Sequence, residues 1–207
     1  MRVRILNKSS LRLPGGFILA CTHLSHLEPL VASVVCPRRI DWMARSEFFR
    51  SRILTILLRI VDSFSVQREG VAIKAFRTAL DRLRRGRIVG VFPEGLVSPG
   101  INSACRGGAI KLGACAIAIR AAVPIIPCII LGTDQLNSIR PWLPTKSGRL
   151  YLAFGDPIYP PAISSAISAG PLRRKARMEM GNQLARSYVD LYANALKTFE
   201  LEERDIP

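Results

Sequence analysis

Histidine is nearly missing from this chain of 207 residues: there are two, His23 and His26. Chemistry that needs an imidazole, the side chain that titrates near neutrality, therefore has one place to be. The same scarcity argues against a histidine-rich metal centre. The five cysteines, Cys21, Cys36, Cys105, Cys115 and Cys128, add no CxxC or zinc-type spacing and are odd in number. Most of them sit in apolar runs, as buried thiols do. Acidic residues are also few, fifteen against thirty Lys and Arg, which leaves a net charge of +15. Such a field attracts polyanions: nucleic acid, an anionic lipid surface or a phosphorylated substrate. Nucleic acid has only the charge in its favour, because no aromatic-rich RNA-binding strand accompanies it.

Long apolar runs are absent too. No segment reaches the roughly 18 uninterrupted apolar residues of a membrane-spanning helix. The best stretch, Ala121 to Leu131, is short, contains Pro124 and Pro127, and reads as a buried strand. The N-terminus has Arg2, Arg4 and Lys8 but no apolar region before Pro14-Gly15-Gly16, so it does not read as a signal peptide. A cytoplasmic protein is expected, soluble or peripheral on the inner face of the membrane. Nor is there a GxSxG elbow or a Walker A loop; Gly107-Gly108-Ala109-Ile110-Lys111 lacks the spacing. With 49% hydrophobic residues and a mean hydropathy of +0.22, the chain is too apolar to be disordered and slightly greasy for a soluble enzyme. Contact with lipid or a partner is implied.

What is present alternates between strand and helix patterns. Strands are expected at Phe17–Cys21, 38–44, 61–66, 87–92, 124–131 and 149–154. Helices are expected over 30–35, 46–60, 71–85, 109–121 and about 171–199. The length suits one domain, 1–207, and the alternation predicts an α/β fold: a mixed, mostly parallel sheet flanked by helices. The 46–60 helix sets Phe49, Ile53, Ile56, Leu57 and Ile60 against Arg50, Arg52 and Arg59. It reads either as a membrane-interface helix or as a core-packing helix with a solvated basic face.

Sites in α/β sheets gather at the C-terminal ends of strands. Three polar clusters follow strands here: His23 with Glu28, then Arg68, then Glu94 with Gly95. His23 and Glu28 are five apart, about 140° around a helix axis, so they meet only if the chain turns between them. Two readings stay open. One pairs His23 with Glu28 as base and orienting carboxylate. The other takes Ser25-x-x-Glu28 as a capping box, which Pro29 weakens. His26 reads as a structural or pocket-lining residue. Arg68 is either a phosphate ligand or a surface charge, and Phe92-Pro93-Glu94-Gly95 either a plain turn or one that aims a carboxylate.

Together these clusters resemble, in order and approximate spacing, the four blocks of the glycerolipid acyltransferase superfamily, the PlsC-like lysophosphatidic acid acyltransferases. Thr22-His-Leu-Ser-His-Leu-Glu-Pro29 is similar to the first block, Asp62-Ser-Phe-Ser-Val-Gln-Arg68 to the second, Val91-Phe-Pro-Glu-Gly95 to the third and Val123-Pro-Ile-Ile-Pro127 to the fourth. Arg106-Gly-Gly-Ala-Ile-Lys111 is similar to the basic segment found between the last two. The likeness covers about 15–157. It departs at Glu28, where aspartate is usual, at Asp62, where glycine is common, and at Leu96-Val97, where Thr-Arg is usual.

The resemblance implies a glycerol-3-phosphate acyltransferase-like fold. It also implies transfer of an acyl group from an acyl thioester, acyl-CoA or acyl carrier protein, to the hydroxyl of a lysophospholipid, without metal or cofactor. His23 would be the base and Glu28 its orienter. Arg68, with Arg106 and Lys111, would hold a phosphate; Glu94 would fix the acceptor and Gly95 would let the backbone approach it. An anionic membrane surface is the implied partner of the basic charge. Another lysophospholipid or an acyl-amino-acid lipid as acceptor, and a non-catalytic lipid-binding relative, are the alternatives.

Overall fold

The computed structural model describes residues 2–45, 64–66, 72–133, 148–162 and 170–201. Among these residues seven strands form one sheet: β1 (Arg2–Leu6), β2 (Phe17–Cys21), β3 (Ile40–Arg45), β4 (Phe64–Val66), β5 (Ile88–Val91), β6 (Ile125–Leu131) and β7 (Arg149–Phe154). Their spatial order is β1-β7-β6-β2-β5-β3-β4. Every neighbouring pair is parallel except β6 with β7. The fold is therefore α/β with a mixed, mostly parallel sheet, as the alternation predicts.

Residue type explains which strands are central. All five residues of β2, all four of β5 and all seven of β6 are buried, and each is an unbroken small or apolar run. Such strands can be covered on both faces, as parallel strands are. β1 alternates arginine with aliphatic residues and lies at the edge, where charge discourages further pairing. Pro127 is tolerated inside β6 because the ladder to β7 begins at Cys128↔Phe154; just before it, only the Pro127 carbonyl is used, accepting from the Gly155 N–H at 2.8 Å.

Among the described residues, helix α1 (Glu28–Val35) covers one face and α2 (Ala72–Arg84), α3 (Gly113–Ala121) and α4 (Gly170–Phe199) cover the other. On the first face Leu27, Val31, Ala32 and Val35 pack on Phe17, Leu19 and Cys21. On the second, Ala79 and Leu83 of α2, Ala118 of α3 and Leu184 and Tyr188 of α4 pack on Ile18, Ala20, Val89 and Ile129. The strand period of two sorts alternate residues of β2 into these two cores. All five cysteines are buried and free.

One helix boundary differs from expectation by more than two residues. Helix α3 begins at Gly113 rather than Ala109, because the Lys111 N–H is drawn out of any helix to the Pro93 carbonyl at 2.8 Å. Helix α4 starts at Gly170 and ends at Phe199, close to the range expected. The helix expected over 46–60 lies outside the described residues.

Part of the basic excess is internal. The buried Asp41 of β3 takes Arg87 at 2.6 Å and Arg82 at 3.4 Å. The Arg38 guanidinium donates to the carbonyls of Leu13, Gly15 and Gly86, tying together the turns that enter β2 and β5. Arginine suits this because its planar fork reaches several acceptors at once.

Strand β2 is where the winding reverses. The connection leaving it through α1 runs over one face to β3, while β5 returns through α3 over the other face to β6, on the far side of β2. A crevice opens beyond the C-terminal end of a strand so placed.

Candidate active site

The crevice is built on the turn that leaves β2. Thr22 stays in the sheet through its N–H to the Cys128 carbonyl (3.1 Å), and the chain then bends before α1. The bend is held by side chains rather than by ladder bonds. Ser25 Oγ accepts from the Leu27 N–H at 3.1 Å, and the Ser25 N–H donates to Glu28 Oε1 at 2.7 Å. The turn brings His23 Nδ1 to 3.0 Å from Glu28 Oε2.

Both readings of Glu28 are thus realised in one side chain. Oε1 performs the reciprocal half of a capping box, receiving the Ser25 N–H, while Oε2 receives the imidazole. The other half of the box is not made: Ser25 Oγ serves Leu27, and the residue before α1 is Leu27, with no side-chain cap. Pro29 is accommodated because α1 begins at Glu28, which puts the proline in the first turn, where a missing N–H is harmless. The same placement accommodates a glutamate in the position where aspartate is usual.

Glu28 is fully buried, so its oxygens need donors. A third donor is Thr133, whose hydroxyl lies 2.6 Å from Oε1. Sequence reasoning missed Thr133, although its position two residues past the end of β6 was a usable signal. With a carboxylate at Nδ1, the neutral ring carries its proton there and leaves Nε2 as an acceptor. The His23 side chain is 15% exposed and Nε2 has no partner among the described residues.

The ring plane is set by aromatic packing. His23 stacks on Phe92 at 4.2 Å between centroids, and Phe92 stacks on Trp42 at 5.0 Å. Trp42 is anchored by its indole N–H to Ser33 Oγ (2.9 Å), and it lies flat against Gly90, where any Cβ would come within 2.5 Å of the indole. His26 is exposed and meets the His23 ring edge-on at 5.8 Å.

The loop after β5 clamps the His23 backbone from both sides. Glu94 Oε2 accepts the His23 N–H at 2.5 Å, and the Ser98 N–H donates to the His23 carbonyl at 2.7 Å. Glu94 Oε1 accepts from the Ala104 N–H at 2.7 Å and from the Ser103 hydroxyl at 3.3 Å. The carboxylate expected to face an acceptor is therefore turned inward and 7% exposed. Burial pushes its pKa above the ordinary glutamate value, while the N–H groups of Ala104 and His23 pull it back.

Gly95 has a φ of +75°, and a Cβ there would meet the Lys111 ammonium at 2.4 Å. Glycine thus lets the Lys111 side chain lie over the turn, and Nζ has no hydrogen-bond or ion-pair partner among the described residues. Arg106 is drawn elsewhere: its guanidinium lies over the Tyr192 ring at 5.7 Å and reaches the Tyr192 hydroxyl at 3.3 Å. The structure therefore brings His23, Glu28, Glu94, Gly95 and Lys111 together and sets Arg106 against α4. Arg68 lies outside the described residues. A further contact beneath the site is the Tyr188 hydroxyl, which donates to the Ala20 carbonyl of β2 at 3.0 Å.

The site thus sets an imidazole against a buried carboxylate, with the Lys111 ammonium lying over the turn beside it. Residues 2–131 match the acyltransferase family model. The chain is 28% identical over 158 residues to 1-acyl-sn-glycerol-3-phosphate acyltransferase of Bacillus subtilis (strain 168), covering 76% of this chain and 74% of that protein. The fold is similar to the crystal structure of the 1-acyl-sn-glycerophosphate (LPA) acyltransferase, PlsC, from Thermotoga maritima, with a TM-score of 0.61 at 22% identity, covering 89% of this chain and 71% of that one. With the family matched over most of its length and the histidine–carboxylate turn in place, this chain belongs to the acyltransferase family, in its PlsC-like superfamily, and is an O-acyltransferase.

Proposed function

We propose that the enzyme transfers a fatty acyl group from an acyl thioester to the free hydroxyl of a lysophospholipid, with 1-acyl-sn-glycerol-3-phosphate as acceptor and phosphatidic acid as product. The observation that carries this reading is the His23–Glu28 pair, which leaves Nε2 able to take a proton. The acceptor hydroxyl oxygen attacks the thioester carbonyl while Nε2 removes its proton. The tetrahedral adduct then expels the thiolate, which takes that proton from the imidazolium and leaves as free thiol. Glu28 holds the ring and carries the countercharge. Glu94 acts on His23 through its backbone, as a positioning residue. Lys111 is the cation the described site offers to an acceptor phosphate, a role shared with Arg68 in the sequence reading. The names of the relatives support the acceptor and the family supports the chemistry.

The test is product analysis of the purified enzyme with lysophosphatidic acid and, separately, lysophosphatidylcholine, lysophosphatidylethanolamine and an acyl-amino-acid lipid, each with acyl-CoA and with acyl carrier protein. Phosphatidic acid with stoichiometric free thiol is expected. Acylation of another acceptor in preference would overturn the assignment of lysophosphatidic acid. The substitution of Leu96-Val97 for the usual Thr-Arg makes that panel worth running in full.

A peripheral position on an anionic membrane is part of the proposal. No helix among the described residues is long and apolar enough to cross a membrane. Large apolar side chains nevertheless stand exposed on the elements around the crevice: Leu96 at 52%, Ile101 at 80% and, on the first turn of α1, Leu30 at 42%. Residues of this kind enter the interfacial layer where a lipid substrate is presented. The double substitution Leu96→Glu and Ile101→Glu should cut activity on vesicle-borne acceptor at least about fivefold. Activity on a short-chain monomeric acceptor should stay the same. An equal loss on both substrates would assign these residues to the substrate pocket rather than to the membrane.

A further inference from the structure

A cavity of about 610 Å³ lies between α2, α3, the segment after β7 and the first turns of α4. Its lining includes Ala122, at the end of α3, and the segment following the Ile125↔Ile158 bridge. This is the N-terminal end of β6, whereas His23 sits past the C-terminal end of β2, which runs parallel to β6. The groove is therefore separate from the crevice described above.

Four arginines line it, Arg120 from α3 and Arg173, Arg174 and Arg177 from α4, and no carboxylate does so among the described residues. Several arginines elsewhere are engaged internally: Arg82 and Arg87 on Asp41, Arg38 on three carbonyls, Arg106 on Tyr192. Here Arg120 and Arg174 make no hydrogen bond or ion pair among the described residues, and the buried Nε of Arg177 has no partner. The N-terminal turn of α4 adds to the field. It has no acidic residue, where the helix dipole favours one, and arginines follow it instead. Among the described residues no carboxylate answers Arg120, Arg174 or the Arg177 Nε, and a bound anion would do so. The remaining wall is apolar or aromatic, with Phe76, Ile119, Tyr159 and Pro160. The size lies within the range of small-molecule sites.

We propose that this groove binds a small organic phosphate, with the phosphate on the arginines and an apolar or planar portion against Phe76, Ile119 and Tyr159. Two sources share that chemistry: the nucleotide end of a coenzyme A thioester, and the headgroup of a phospholipid monomer. The test is calorimetric titration of the full chain with 3′,5′-ADP, with short-chain phosphatidic acid below its micellar concentration, and with inorganic phosphate. Each is repeated on the Arg120→Gln/Arg174→Gln double variant, on Tyr159→Ala and on His23→Ala. Arg120, Arg174 and Tyr159 are exposed, and circular dichroism checks that each variant is folded.

At least one organic phosphate should bind saturably and more tightly than inorganic phosphate. The arginine variant should weaken it at least about tenfold. Tyr159→Ala should erase the preference for the organic ligand, and His23→Ala should change nothing. Binding of the nucleotide alone, or of the lipid alone, supports the proposal and names the source. No saturable binding of either organic probe, undiminished affinity in the arginine variant, or loss of binding in His23→Ala would overturn it. Because His23 is not part of the groove, a chain that acylates no lysophospholipid but binds here would remove the proposed function and leave the groove standing.

Discussion

His23→Ala should lower the turnover number for acyl transfer by about 10²–10⁴, the usual contribution of a positioned general base, with little change in melting temperature. The expectation of an intact fold rests on where the fold places the residue. The backbone N–H and carbonyl of His23, which hold the turn to the loop after β5, survive the substitution. What is lost is the ring: its Nδ1 bond to Glu28 and its stacking on Phe92. Measured with saturating donor and acceptor, the loss should appear in kcat. A folded variant with wild-type turnover would remove His23 from the chemistry.

The second large effect concerns Glu28, and here the two readings of the sequence make different forecasts. If the carboxylate only capped the turn, Glu28→Gln would be nearly silent, because the amide oxygen can still accept from the Ser25 N–H and the Thr133 hydroxyl. In the structure that oxygen position is occupied by those two donors at 2.7 and 2.6 Å. The amide nitrogen must then face His23 Nδ1, where Oε2 now lies at 3.0 Å. An N–H donor there selects the opposite tautomer, with the proton on Nε2, and removes the countercharge for the imidazolium. Turnover should fall by about 10²–10⁴, with stability changed by at most about 1 kcal/mol since the hydrogen bonds to Oε1 persist. Retention of activity would leave Glu28 as a cap alone. Thr133→Val separates the two oxygens further: it leaves the imidazole contact in place while removing one donor from Oε1.

Six of the seven described strands, three of the four described helices and the order of the polar clusters were legible because each depends on near neighbours in sequence. Unbroken apolar runs specify β2, β5 and β6, and the 3.6-residue period specifies α2 and α4. The later start of α3 was not legible, since it depends on a bond from the Lys111 N–H to Pro93, eighteen positions away. The site shows the same division. His23 and Glu28 could be paired from their spacing and the turn between them. The direction of the Glu94 carboxylate could not, because its partners come from the turn after β2 and from Ser103 and Ala104. Arg106 reads as one more cation in a basic segment, yet Tyr192 on α4 takes it up.

By itself, then, the sequence determined the α/β alternation, the single pair of histidines, the apolar strands that deliver them, and the likeness that points to acyl transfer. These follow from residue type and local period. Only the tertiary structure decided that one glutamate both closes the turn and holds the base, that Thr133 is its third donor, and that Glu94 grips the backbone of His23. Only it left four arginines around a groove at the other end of the strands. Each of these depends on bringing distant segments to one place, and on the rule that a buried carboxylate must find donors wherever the fold supplies them.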